Sequence, residues 1–265
     1  MPNNNKLSVV ILAAGLGTRM KSRRAKVLHE LGGLPLITHV VKTAQELDPQ
    51  TILVIVGHQA EEVEKAVLDA VGGLASFVVQ AKQRGTGDAV ESARGLLENS
   101  DSLLLVLSGD VPLIRVETLQ RLIAHHREHR AACTILSVEL QNPTGYGRMV
   151  RNENGSFARI VEQRDATADQ RQIREINSGI YCFEARDLFQ ALRRVQPAND
   201  QGEYYLTDVA EIILSLGGTV SVYLHDDPRE VSGINTRAEL AEFENLLRRN
   251  TIRRLMTETG VTFID

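Results

Sequence analysis

Apolar residues recur along the chain in two rhythms. Continuous runs at Val9–Leu12, Thr51–Val56, Ser76–Val79, Ser102–Leu107, Cys133–Val138, Ile180–Phe183 and Thr219–Leu224 read as strands. Four apolar residues in a row at Val9–Leu12, three of them β-branched, suit a strand covered on both faces. Between these runs the spacing turns helical: from Pro35 to Ala44, through Val63, Ala66, Val67 and Ala70, and from Asp88 to Leu97. Helical patterns return from Ala185 to Val195, from Thr207 to Leu216, and from a cap at Asn235-Thr236-Arg237 to about Met256. Arg148–Arg151 and Phe157–Glu162 read as a hairpin around Asn152–Gly155. This alternation predicts an α/β fold, a Rossmann-like, mostly parallel sheet with helices on both faces. The later segments predict a small β-rich insertion over the cleft. No internal repeat or long linker interrupts the pattern.

The first strand runs into Ala13-Ala14-Gly15-Leu16-Gly17-Thr18-Arg19-Met20, closed by Lys26. Small residues and glycines let a ligand approach backbone without meeting a Cβ. A row of N–H groups beside a hydroxyl and two cations suits the phosphates of a nucleotide. Leu12, Ala13, Ala14, Gly15, Gly17 and Thr18 are therefore the candidate cradle, with Arg19 and Lys26 as the candidate catalytic cations. The alternative is a plain strand-to-helix turn with solvated charges. The loop is neither Gly-x-x-x-x-Gly-Lys-Ser/Thr nor the three-glycine dinucleotide fingerprint.

Ligands in such sheets gather at the carboxyl ends of strands. Gln80–Gly87 and Ser108–Asp110 fall at two further ends. Asp110 is the leading metal candidate, since Mg²⁺ takes one or two protein oxygens together with phosphate oxygens; a turn or cap residue is the alternative. Asn235 precedes a helix and suits an N-cap, and its side-chain oxygen suits the same metal. Gln80, Gln83, Gly85 and Thr86 form a loop with the donors, acceptors and open backbone to read a base edge, or else a simple surface loop. Thr144, Gly147, Glu162 and Asn177 are of the kind that bind sugar hydroxyls, or else solvated strand residues.

Composition narrows this picture. The 265 residues are 43% hydrophobic and 24% charged with a formal net charge of −4, ordinary for a globular enzyme and unlike a nucleic-acid binder. Cys133 and Cys182 lie in apolar runs and are expected to be buried free thiols. His125, His126 and His129 crowd one predicted helix and are expected to form a solvated face rather than a metal site. Met1 to Lys6 carry no apolar core of a signal peptide, no run approaches a membrane span, and a cytoplasmic enzyme is expected.

Leu-x-x-Gly-x-Gly-Thr-Arg-Met with a following lysine resembles the sugar-nucleotidyltransferase family, which joins a sugar 1-phosphate to a nucleoside triphosphate. Where that family has proline before the lysine, this chain has Ala25, which predicts a less rigid loop. Thr-Gly-Tyr-Gly-Arg at 144–148 and Gln-Gly-Glu-Tyr-Tyr-Leu-Thr-Asp at 201–208 carry the resemblance along nearly the whole chain, toward the family's uridyltransferases. The resemblance implies UTP and N-acetylglucosamine 1-phosphate as substrates, UDP-N-acetylglucosamine and pyrophosphate as products, and Mg²⁺ as cofactor, in the supply of cell-wall precursors. It implies Asp110 and Asn235 as metal ligands, Arg19 and Lys26 on phosphate, Gln80 and Gln83–Thr86 on uracil, and Gly147, Glu162 and Asn177 on the sugar. It also implies a transferase domain over residues 1–235, a linker helix over 236–256, and at 257–265 the start of an acetyltransferase β-helix. With that half absent, no acetyl transfer is expected, and a monomer in place of the homotrimer. The alternatives are a related enzyme for another sugar or base and, less favoured, a non-catalytic nucleotide-sugar binder.

Overall fold

Alternate residues of one strand face two different cores, and this divides the molecule into three layers. The computed structural model describes residues 6–264; Met1–Asn5 and Asp265, which belong to the polar start and the expected β-helix stub, lie outside the described residues. Strand β1 (Leu7–Leu12) sends Val9 and Ile11 to one core and Val10 to the other. Strands β4 (Thr51–Val56) and β6 (Leu103–Ser108), the latter read from the pattern as Ser102–Leu107, flank β1 in parallel and divide their side chains the same way. Helices α1 (Leu36–Gln45), α2 (Ala60–Val71) and α5 (Val116–Glu128) cover the first face. Helices α3 (Thr86–Glu91), α4 (Arg94–Leu97), α6 (Ala185–Leu192) and α7 (Asp208–Ser215) cover the second.

The remaining strands are β5 (Ala75–Val79), β7 (Cys133–Glu139), β10 (Glu175–Glu184) and β11 (Val220–His225), and the sheet order is β11-β7-β10-β6-β1-β4-β5. All neighbours on this path are parallel except β10, which is antiparallel to both β6 and β7. The reversal brings the start of β10, with Asn177, to the end of the sheet where the parallel strands finish. A hairpin of β8 (Arg148–Arg151) and β9 (Phe157–Val161) attaches there through Ile176 and Arg148. This hairpin is the β-rich insertion expected over the cleft.

Several elements differ from the pattern. The helix expected over 88–97 is interrupted at Ser92–Ala93, where the Ser92 hydroxyl donates back to the Ala89 carbonyl at 2.5 Å. Asn177–Gly179 does not precede β10 but lies within it, where a bulge spans Ser178–Ile180, with Gly179 at φ +79°. A two-residue hairpin, β2 (Glu30–Leu31) and β3 (Leu34–Pro35), and a short helix α8 (Pro228–Val231) were hidden by their brevity.

The histidines correct the expected solvated face. His126 is buried and shares a 2.9 Å hydrogen bond with the Thr134 hydroxyl, His125 pairs with the Ser221 hydroxyl at 2.7 Å, and only His129 is exposed. Cys133 and Cys182 are buried free thiols on opposite faces of the sheet. The last helix, α9 (Arg237–Glu258), packs Leu240, Phe243 and Leu247 against Leu31, Leu36 and Ile234. Among the described residues no helix is long and apolar enough to cross a membrane.

Candidate functional site

The glycine loop leaves the sheet already aligned. Ala13 N–H donates to the Ile55 carbonyl at 2.8 Å, and Gly109 N–H donates to the Leu12 carbonyl at 2.9 Å, so β1 and the β6 exit remain in register past their ends. Gly17 has φ +60°, and a Cβ there would stand 2.5 Å from the Cβ of Lys26. Glycine at this position lets Lys26 fold beneath the loop. Gly15 has open space where its Cβ would be, which leaves its backbone accessible. Ala25 has φ −54°, a value proline also takes, and its N–H, which proline lacks, donates to Gln59 Oε1 at 2.6 Å. This tie supplies locally the restraint that the missing proline would have given.

Five side chains meet where the loop, the β6 exit and the approach to α9 converge. Lys26 Nζ donates to Asp110 Oδ2 and, at 3.1 Å, to Asn235 Oδ1. Arg19 Nη2 donates to the same Asn235 oxygen at 2.8 Å, and the Ser108 hydroxyl donates to Asp110 Oδ1 at 2.5 Å. Asp110 is buried, and burial pushes its carboxyl up; the Lys26 ammonium and the Ser108 hydroxyl outweigh this and hold it below the usual carboxylate range. Ile234 N–H donates to the Asp110 carbonyl at 2.9 Å, and a Cβ on Gly233 would come within 3.1 Å of Asp110 Oδ2. The segment before α9 is thereby laid directly on Asp110.

Asn235 is not the helix cap. Thr236 caps α9, its hydroxyl accepting from Glu239 N–H while Glu239 Oε2 accepts from Thr236 N–H, a complete capping box. The Asn235 side chain is thus free to face Lys26. Its oxygen and that of Asp110 already hold a cation between them, the lysine ammonium, so the donor set fits a positive ion at this place. Among the described residues no group of three or more His, Cys, Asp or Glu could hold a metal. A hard divalent ion that draws its other oxygens from phosphates is the kind such a pair accommodates.

Two lobes open from this junction and share Leu12, Thr86, Ser108 and Asp110. The first is lined by Ala13, Ala14, Gly15, Gly17, Thr18 and Lys26, and by Gln80, Gln83 and Gly85 across from them. Gln80 is buried, and its amide nitrogen donates to the Gly85 carbonyl at 3.1 Å and to Asp88 Oδ2 at 2.9 Å. Gly85 has φ +110°, and a Cβ there would lie 2.5 Å from the Tyr204 carbonyl oxygen. The absent side chain of Gly85 therefore makes room for the 203–206 segment. Thr86 Oγ1 accepts from Leu206 N–H at 3.0 Å, fixing the same segment.

The second lobe is lined by Arg19, Tyr146, Gly147, Glu162, Asn177 and Thr207. The β10 bulge aims Asn177 into it: Asn177 Nδ2 donates to the Tyr181 hydroxyl at 2.6 Å, and Gly179 N–H donates to Asn177 Oδ1 at 3.1 Å. Gly147 lies directly over Glu162, since a Cβ there would be 3.3 Å from Glu162 Oε1. Burial, reinforced by the charges of Asp165 and Asp208, raises the Glu162 carboxyl above its ordinary range. The buried Thr207 hydroxyl stands beside Glu162 and opposes that rise, yet it makes no close hydrogen bond. All the predicted site residues except Thr144 and Arg84 line one lobe or the other. Sequence reasoning passed over Ser108, Tyr146 and Thr207, although Ser-Gly-Asp, Thr-Gly-Tyr-Gly-Arg and Leu-Thr-Asp contain them. Thr144 lines neither lobe as described.

Comparison with known proteins agrees with this architecture. The UDP-glucose pyrophosphorylase structure complexed with UDP-glucose superposes with a TM-score of 0.74 at 16% identity, covering 92% of this chain and 99% of that one, a likeness of fold. The bifunctional protein GlmU of Syntrophomonas wolfei is 44% identical over 260 residues, 98% of this chain and 57% of the relative. The protein of the same name from Solibacter usitatus is 48% identical, over 98% of this chain and 55% of its own length. The chain thus spans little more than half the length of these curated relatives. The MobA-like NTP transferase domain matches residues 9–210, from β1 to within α7, and the chain belongs to that family.

Proposed function

We propose that this chain is a uridyltransferase that forms UDP-N-acetylglucosamine and pyrophosphate from UTP and N-acetylglucosamine 1-phosphate. One observation carries the reading: a lobe lined by backbone N–H groups and a lysine meets a lobe lined by hydroxyl-binding groups, and Lys26, Asp110, Asn235 and Arg19 stand at the junction. Such a junction suits two anionic substrates that must be brought together. Identities of 44–48% with proteins named GlmU, over 98% of this chain, support the same choice within the family.

In this reading the triphosphate lies along Leu12–Thr18 and its base faces Gln80 and Gln83. The sugar ring lies against Gly147, Glu162, Asn177 and Thr207. The sugar phosphate attacks the α-phosphorus of UTP in line, and pyrophosphate leaves. Positioning and charge neutralisation do most of the work, and no nucleophilic side chain is required. Arg19 and Lys26 exchange Asn235 and Asp110 for phosphate oxygens and carry the charge of the departing pyrophosphate. Asp110 and Asn235 would hold Mg²⁺, which neutralises phosphate charge when bound. The free thiols of Cys133 and Cys182 suit a cytoplasmic setting.

A coupled pyrophosphate-release assay across sugar 1-phosphates and nucleoside triphosphates tests the proposal. Turnover is expected to be fastest with UTP and N-acetylglucosamine 1-phosphate. A faster reaction with glucose 1-phosphate, or with another triphosphate, would assign the chain to a different transferase.

A further inference from the structure

The largest fully buried side chain among the described residues is a charged one, Arg148, at 1% exposure. Burying a guanidinium is costly unless its donors are met and its charge compensated. Among the described residues no carboxylate stands within ion-pair distance of it, Glu162 offsets its charge only from farther away, and its Nε has no partner. Burial accordingly lowers its pKa from the ordinary arginine value. A methionine would fill this volume at smaller electrostatic cost. What the arginine does instead is tie down one loop.

Its Nη1 donates to the Tyr146 carbonyl, and its Nη2 donates to Gln163 Oε1 at 2.7 Å. The same Gln163 oxygen accepts from Gly145 N–H at 3.1 Å. On the other side, Asn177 N–H donates to the Gly147 carbonyl at 2.9 Å. The turn 145–147 is therefore held at each of its residues, by Gln163, by Arg148 and by β10. It is a wall of the second lobe, which all three of its residues line: Gly147 covers Glu162, and a Cβ on Gly145 would lie 3.9 Å from Arg19 Nη1. Gln163 follows Glu162 in the chain, so one short segment carries both a sugar-facing carboxylate and the acceptor that fixes the opposite wall.

We infer that Arg148 and Gln163 form a latch that sets the width of the sugar lobe, and that they are positioning residues for the sugar phosphate and not for the nucleotide. The inference rests on the assignment of that lobe to the sugar. Two features favour a positioning role over a purely structural one. The latch spends a buried charge on the Tyr146 carbonyl and the Gln163 amide oxygen, at a turn that lines the second lobe and not the first. Its hub, Gln163, is half-buried at the edge of the insertion, outside both main cores.

The test separates KM for the two substrates in Gln163→Ala and Gln163→Glu, with the thermal midpoint and the KM for UTP as controls on folding. Gln163→Ala removes the acceptor for both donors and is expected to raise the sugar-phosphate KM about tenfold, with the UTP KM held within about twofold. Gln163→Glu keeps an acceptor facing the guanidinium and is expected to recover most of that loss. Equal changes in both KM values, no change in either, or a glutamate variant as impaired as the alanine one would overturn the latch while leaving the transferase assignment intact. If the unaltered protein uses UTP but no sugar phosphate, the sugar lobe is misassigned and the latch falls with it.

Discussion

The junction and the second lobe solve opposite electrostatic problems. At the junction the charges are already paired: Lys26 holds Asp110 and Asn235, and Arg19 holds Asn235, so each polar group is satisfied before substrate arrives. In the second lobe two groups are less fully met: burial pushes Glu162 toward its neutral form, and the Thr207 hydroxyl beside it makes no close hydrogen bond, while Asn177 is already held by Tyr181 and Gly179. A phosphate lobe can exchange one ionic partner for another at little cost. A hydroxyl-binding lobe gains most by leaving its groups unpaired until the correct ligand fills them, because an analogue that lacks the hydroxyl then leaves them stranded. On the proposed reading, the junction governs rate and the second lobe governs sugar selectivity.

The largest effect that would sharpen this division is expected at the junction. Asp110→Asn removes the charge that organises Lys26 and weakens a cation ligand, and turnover should fall about 10³-fold with the fold intact, measured by steady-state kinetics and circular dichroism. A loss below tenfold would place Asp110 outside the reacting centre. Glu162→Gln should act in the other column, raising the sugar-phosphate KM about thirtyfold with a small effect on UTP. The carboxylate form accepts hydroxyls and its pKa is raised, so sugar affinity in the unaltered protein should weaken as pH falls through that raised value. Glu162→Gln should lose that part of the pH dependence, and a parallel pH profile in the variant would contradict the assignment.

Hydrophobic pattern and local motif disclosed the first lobe far better than the second. Val9–Lys26 is contiguous, so strand, glycines and cations announce one another within a short stretch. The second lobe is assembled from Gly147, Glu162, Asn177 and Thr207, which meet only because β10 runs against its neighbours and bulges at Ser178–Ile180. An apolar run such as Ile180–Phe183 has no direction in its pattern, so the reversal was not legible. Nor was the burial of Arg148, which reads as an ordinary polar residue at a strand start. The cap of α9 was legible in principle: Glu239 stands three residues after Thr236, not Asn235, and that spacing marks the true cap. His126 shows the limit of helical spacing, since neighbours one residue apart straddle the boundary between core and solvent.

Two smaller effects probe the same contrast. If Lys26 occupies the cation position in the absence of nucleotide, Lys26→Ala should bind Mn²⁺ about tenfold more tightly than the unaltered protein, read by electron paramagnetic resonance without substrates. Adding Asp110→Asn to that variant should abolish the gain; unchanged Mn²⁺ affinity in Lys26→Ala would show that the ammonium does not compete. Beside the sugar lobe, burial with the charges of Glu211 and Asp165 raises Asp208 to about 6 from 3.8. Between those pH values the folded protein binds a proton that the unfolded chain does not, so this group's contribution to stability declines as pH rises through the window. Asp208→Asn should stabilise the protein by about 1 kcal/mol at pH 8, discounted for partial solvent exposure, and by almost nothing near pH 4, measured by urea unfolding.

The account rests on a direct transfer, in which the two lobes align their substrates and no side chain is ever uridylylated. The stereochemistry at the α-phosphorus tests this most directly. UTP made chiral at that atom by a single sulfur substitution is turned over with N-acetylglucosamine 1-phosphate, and the configuration of the UDP-sugar product is read by phosphorus NMR. A single in-line displacement predicts inversion. Retention would mean two displacements through a covalent enzyme intermediate, and would contradict a site whose residues act by position and charge alone.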